Sequence, residues 1–93
     1  MIRINPKLAI AWYYKGTALN VLGQYQEAII CLENVHRNWC EAWNQKGIAY
    51  ANLQKYFEAI TCFEKAIKFD TDNQSAYAEN KARVIKEQEK NNV

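Results

Sequence analysis

Proline and glycine are scarce in this sequence: one proline, Pro6, and three glycines, Gly16, Gly23 and Gly47, in 93 residues. That leaves little room for long loops or many turns and points to a chain that is nearly all helix. Neither sign of charge is in excess, since 12 basic and 10 acidic residues leave a net +2 with the signs mixed along the chain. Such a balance supplies no electrostatic footprint for nucleic acid or an anionic membrane. Apolar runs are short as well, none near the roughly 20 residues needed to cross a bilayer. Met1 to Pro6 has neither the apolar stretch nor the cleavage site of a signal peptide. The three cysteines, Cys31, Cys40 and Cys62, are an odd number and a poor disulfide framework, which fits a reducing, cytoplasmic compartment. Cys31, His36 and Cys40 are spaced Cys-x4-His-x3-Cys, with no close pair and no fourth ligand, so no metal site is expected. His36 is the single histidine, and no phosphate loop, nucleophile elbow or paired carboxylate accompanies it. Neither catalysis nor a cofactor is expected.

What the chain does have is a repeat. Trp12 to Leu32 returns as Trp43 to Phe63: Trp12 matches Trp43, Lys15-Gly16 matches Lys46-Gly47, and Leu22 matches Leu53. Tyr25 matches Tyr56, Glu27-Ala28-Ile29 matches Glu58-Ala59-Ile60, and Cys31 matches Cys62, all at an offset of 31 residues. Self-similarity at one period signals stacked units rather than a single globular core. With 49% apolar residues there is enough material for that core.

Read in order, Met1 to about residue 7 looks like the tail of an earlier helix, closed by Asn5-Pro6. A first helix is predicted from about Leu8 to Leu22, with Trp12, Gly16, Leu19 and Leu22 facing in, ended by Gly23 in left-handed geometry. A second starts near Tyr25, carries Ala28, Ile29, Leu32 and Val35 on one face, and ends between His36 and Asn38. The third spans about Glu41 to Leu53, with Trp43, Gly47, Tyr50 and Leu53 inward, and turns at Gln54-Lys55 without a glycine. The fourth runs from about Phe57 to Phe69, with Ala59, Ile60, Phe63, Ala66 and Ile67 inward. Asp70 to Asn73 is a cap-rich linker, where Thr71 with Gln74 fits a capping box and Asn73 is an alternative N-cap. The last helix covers about Gln74 to Glu89, has Lys81 in the glycine slot, and ends in a polar tail, so it is expected to cap the array with a solvated back. An ion pair of Glu79 with Arg83 is expected on that back.

Gly16 and Gly47 each sit mid-helix, where glycine costs about 0.5–1 kcal/mol relative to alanine. A cost accepted twice at one slot implies close approach of a neighbouring helix, with Ala28 and Ala59 offering small surfaces opposite.

The sequence resembles the tetratricopeptide repeat family, whose pattern is W-x2-L-G-x2-Y followed by A-x3-F over about 34 residues. Trp12-x2-Lys15-Gly16-x2-Leu19 with Ala28-x3-Leu32 is one copy, and Trp43-x2-Lys46-Gly47-x2-Tyr50 with Ala59-x3-Phe63 is the other. The resemblance implies an all-α solenoid of two antiparallel helix pairs plus a C-terminal capping helix, wound as a right-handed superhelix. Its units would be residues 8–38, 40–72 and 73–90 of a single domain. Lysine stands for leucine beside each glycine, and the first unit is three residues short, with Trp39 expected to plug the gap. The shortfall predicts a second unit rotated or drawn closer than in a regular array.

The resemblance further implies a non-catalytic scaffold whose concave groove takes up a peptide or partner protein. The groove positions that match are Ile10, Tyr13, Thr17, Asn20 and Val21 on the first helix, and Glu41, Asn44, Ile48, Ala51 and Asn52 on the third. Tyr13, Thr17, Asn20, Asn44, Ile48 and Asn52 are the expected contact residues, the asparagines because each can donate and accept as a peptide backbone requires. The slots with which some members grip a terminal carboxylate hold Tyr13, Thr17, Gln45, Ser75 and Glu79, none of them basic, so that ligand is not expected. The rival expectation is self-assembly, or membership of a longer array, through the apolar edge at the N-terminal end, where Ile2, Ile4, Ala9, Trp12 and Tyr13 lack a neighbour. A homo-oligomer would form through that edge. The glycosylation sequon at Asn73-Gln74-Ser75 is better read as a helix start.

Overall fold

A computed structural model of the chain describes residues 6–35, 39–70 and 73–91. It contains five helices: α1 (Pro6–Val21), α2 (Tyr25–Leu32), α3 (Cys40–Asn52), α4 (Tyr56–Phe69) and α5 (Gln74–Asn91), and no strand among the described residues. Each helix packs on the next, and α1–α3 and α3–α5 also touch. The result is an all-α solenoid of two layers, α1, α3 and α5 in one and α2 and α4 in the other. No helix among the described residues is long and apolar enough to cross a membrane.

The boundaries follow local chemistry. Pro6 opens α1 at the position where a missing N–H costs nothing. Gly23 ends it with φ 81°, its N–H on the Asn20 carbonyl and the Gln24 N–H on that of Leu19. This paired closure satisfies carbonyls that the helix end would orphan. The same two bonds recur at the end of α3, from Gln54 to Ala51 and from Lys55 to Tyr50, with Gln54 at φ 63°. Leu22, expected to face the core, is instead 70% exposed, because the chain leaves the helix at Val21 and the turn carries Leu22 outward. α2 also stops sooner than expected, at Leu32. Its end tightens into i→i+3 bonds, Asn34 to Cys31 and Val35 to Leu32, which swing Val35 into the core beside Leu32 and Ala42. His36 to Asn38, where the end was expected, lie outside the described residues, as does Thr71 of the expected capping box. The Gln74 amide donates to the Ile67 carbonyl, and that of Asn73 to Asp70 Oδ2, so both side chains tie the linker back to α4.

The two mid-helix glycines mark the tightest approaches. A Cβ on Gly16 would lie 2.6 Å from Leu32 Cγ and 3.2 Å from the Ala28 carbonyl oxygen; one on Gly47 would lie 2.6 Å from Phe63 Cε1. The expected close contact is present, but its partner is the bulky residue four places after each alanine. Leu32 and Phe63 are the largest fully buried side chains, and the glycines make room for them. Ala28 and Ala59, fully buried, let the same helices sit close. The lysine beside each glycine lays its stem along a tryptophan: Lys15 Nζ is 5.4 Å from the Trp12 ring centre and Lys46 Nζ 4.4 Å from that of Trp43. On α5, Tyr77 and Val84 are buried and Lys81 reaches Glu64 of α4 at 3.0 Å, while Lys86, Glu87, Glu89 and Lys90 face water.

Candidate functional site

The groove residues predicted from the sequence fall into two groups. Tyr13, Thr17 and Asn20 of α1 face the start of α3. Tyr13 stacks on Trp39, ring centres 5.1 Å apart at 17°, and meets Tyr14 edge-on at 5.7 Å. Burial, and then the charge of Glu41, raise its phenol pKa above the ordinary value. The Thr17 hydroxyl donates to the Tyr13 carbonyl. Asn20, expected on the open face, is buried, and its amide donates to the Gln45 carbonyl (3.1 Å) and to Gln45 Oε1 (3.0 Å). Its donors are spent on holding α1 to α3. Trp39 packs on Leu32, Val35 and Ala42, as a plug at the short junction should.

The second group opens between α3 and α5. Here a cleft of about 410 Å³ is lined on α3 by Ile48, Ala51 and Asn52, with Gln54 at the turn. Tyr56 and Phe63 of α4 form its base, and Asn80, Arg83, Val84 and Glu87 of α5 form its far wall. Asn44 closes one end, its Oδ1 accepting from the Asn80 amide at 3.0 Å. The Asn52 amide donates to the Ile48 carbonyl at 2.8 Å, which leaves its oxygen as an acceptor on the rim. The cleft is therefore apolar at the base and amide-lined above, flanked by one cation and one anion.

Reading the sequence missed the whole α5 wall. Arg83 was expected to pair with Glu79 on a solvated back, and it lines the cleft instead. Asn80, Arg83, Val84 and Glu87 recur at three- and four-residue steps, a signal that could have placed them on one face. At the far end of α3, the linker fixes α5. The Tyr77 hydroxyl donates to Asp70 Oδ2 at 3.0 Å, and burial followed by that hydrogen bond pushes the phenol well up. The Cys40 thiol joins the same cluster and is raised by burial first and by Asp70 next. Cys62 is raised to about 11 by burial, so both thiols are protonated at neutral pH and serve packing.

Stacked hairpins with a cleft across alternate helices define a helical-repeat scaffold. Residues 40–73, which span α3, α4 and the linker to α5, match the tetratricopeptide repeat family. The match covers one repeat's length of the chain, and the five packed helices are consistent with a series of such repeats. Modules of this family mediate protein–protein interaction in general. No curated protein matches the chain.

Proposed function

We propose that the chain is a non-catalytic scaffold that docks an extended or helical segment of a partner protein in the α3–α5 cleft. The observation that carries this is the cleft itself, where apolar side chains (Ile48, Phe63, Val84) line the same space as amide groups (Asn52, Asn80). An apolar side chain entering it leaves water at a gain of about 25 cal/mol per Å². With their NH2 groups turned onto Ile48 and Asn44, the two asparagines present acceptors for a ligand's N–H groups. Ile48 and Asn52 are the contact residues in this reading. Asn44 sets the position of Asn80, Tyr13 and Asn20 hold the α3 segment against α1, and Thr17 bonds within α1.

Peptides selected from a displayed random library on the immobilised chain test the proposal. Ala51→Trp fills the cleft and should weaken their binding at least about tenfold, about 1.4 kcal/mol, with helicity and melting temperature unchanged. Equal binding to both forms would remove the cleft from the account. A second reading, self-association through the N-terminal edge, is favoured by one observation: α1 exposes Leu8, Tyr14 and Val21 by 57–83%, although Ala9, expected on that edge, is buried.

A further inference from the structure

The two long walls of the α3–α5 cleft differ in chemistry. The α3 wall carries Ile48 and Ala51, both apolar and partly buried, and ends at Asn52. The α5 wall carries Arg83 and Glu87, both exposed. One turn separates them, about 6 Å along the helix axis. A cation and an anion at that spacing on one helix commonly pair. These two pair neither with each other nor with any other charge among the described residues, where the ion pair present is Lys81 with Glu64. The wall therefore offers one free positive and one free negative charge to whatever enters.

The amide groups are free in a complementary way. Asn80 donates from its NH2 group to Asn44 Oδ1 at 3.0 Å, which leaves the Asn80 oxygen as an acceptor beside the Asn44 NH2 group as a donor. Asn52, tied to the Ile48 carbonyl through its own NH2 group, adds a second acceptor. A helical occupant has no use for these groups, since its backbone N–H and C=O groups are bonded within it. At about 10–12 Å across with its side chains, a helix is also too wide to enter a space of about 410 Å³. An extended chain fits on both counts. Its backbone groups need partners, and its successive side chains point to opposite sides. Side chains two residues apart lie about 6.4–6.8 Å apart on one side, close to the spacing of Arg83 and Glu87. The side chain between them then turns toward the apolar α3 wall.

We infer that the occupant of the cleft is an extended segment of a partner protein in which an apolar residue stands between an acidic and a basic one. The acidic residue meets Arg83, the basic residue meets Glu87, and the apolar side chain meets Ile48 and Phe63. This rests on the docking reading and names the chemistry of the partner. The charges select the segment more than they strengthen its binding, because exposed pairs are screened by water and salt. The apolar contact supplies affinity, and the amides fix the path of the backbone.

Four synthetic peptides, capped at both ends and differing only at the centre, test this by fluorescence anisotropy: Asp-Leu-Lys, Lys-Leu-Asp, Asp-Leu-Asp and Lys-Leu-Lys. At low salt one of the mixed-charge peptides should bind roughly threefold to tenfold more tightly than either like-charged one, and the gap should shrink as salt is added. Arg83→Glu should move the preference to Lys-Leu-Lys, and Glu87→Lys should move it to Asp-Leu-Asp. Both positions are exposed, so helicity should not change. The complex should show no helical ellipticity beyond the sum of its parts. A gain in ellipticity would overturn the extended path, and equal binding of all four peptides would overturn the charge selection. In both cases loss of binding in Ala51→Trp would leave the cleft itself standing. Binding of all four that Ala51→Trp does not weaken would overturn the cleft as well. No binding of any peptide at about 1 mM would overturn this inference and leave the cleft to the library selection.

Discussion

The α3–α5 side of the α1–α3–α5 layer holds a cleft, and the α1–α3 side is bridged by side chains, although α1 and α3 are copies of one pattern. On the open side Asn44 meets Asn80, 36 residues on; on the filled side Asn20 meets Gln45, 25 residues on. A difference of 11 residues in contact register far exceeds the three residues by which the first unit is short. α3 therefore meets α1 at a different register from that at which α5 meets α3. The cause lies in the second layer. α4 has 14 residues and α2 only 8, so α2 ends before it can set α3 at the regular height. Trp39 and Tyr13 then stack in the space that a longer helix would have occupied, and side chains fill what is a cleft one unit later. Small differences in one layer therefore decide whether the other opens into a cleft.

The sharpest way to break the comparison is at its two anchors. Phe63→Ala should cost about 3–5 kcal/mol and Leu32→Ala about 2–5 kcal/mol, read by urea unfolding. The first should also deepen the cleft, because Phe63 forms its base, and so change peptide affinity; the second should leave affinity alone. If Leu32→Ala changed affinity as much as Phe63→Ala, the two halves would be coupled and the contrast would fail.

A smaller effect is expected at the filled junction. A double-mutant cycle on Tyr13 and Trp39, each to Ala, should return a coupling of about 0.5–1.5 kcal/mol. Coupling within error of zero would show that the stack follows the displaced register and does not hold it.

Helix positions were legible because their signals are local. Pro6, Gly23 and the apolar spacing place α1, α3 and α4 to within one or two residues, and the glycine slot announces the closest approach in each pair. Trp39 as a plug was legible too, since a bulky residue at a shortened junction has one obvious use. The site was only half legible. Ile48, Ala51 and Asn52 line the cleft as helical geometry suggested, but the α5 wall went unread because Asn80, Arg83 and Glu87 look like a solvated back in isolation. Asn20 looked exposed for the converse reason: what buries it is the displaced α3, a tertiary consequence that no spacing within α1 encodes. Leu22 was misplaced because a seven-residue spacing continues in the sequence after the helix has already turned.

The finest contrast is at the hairpin turns, where Gly23 and Gln54 occupy equivalent positions with φ 81° and 63° and the same pair of closing bonds. A side chain in left-handed geometry costs about 1–2 kcal/mol, partly offset because glycine loses more freedom on folding. Gln54→Gly should therefore stabilise the chain by roughly 0.5–1 kcal/mol. Gly23→Ala should destabilise it by a similar amount, and purely through the backbone, because a Cβ there meets nothing within 4 Å. Urea midpoints of the two variants check the pair. A neutral or harmful Gln54→Gly would mean that the glutamine side chain, which lines the cleft, contributes contacts there that outweigh its strained backbone.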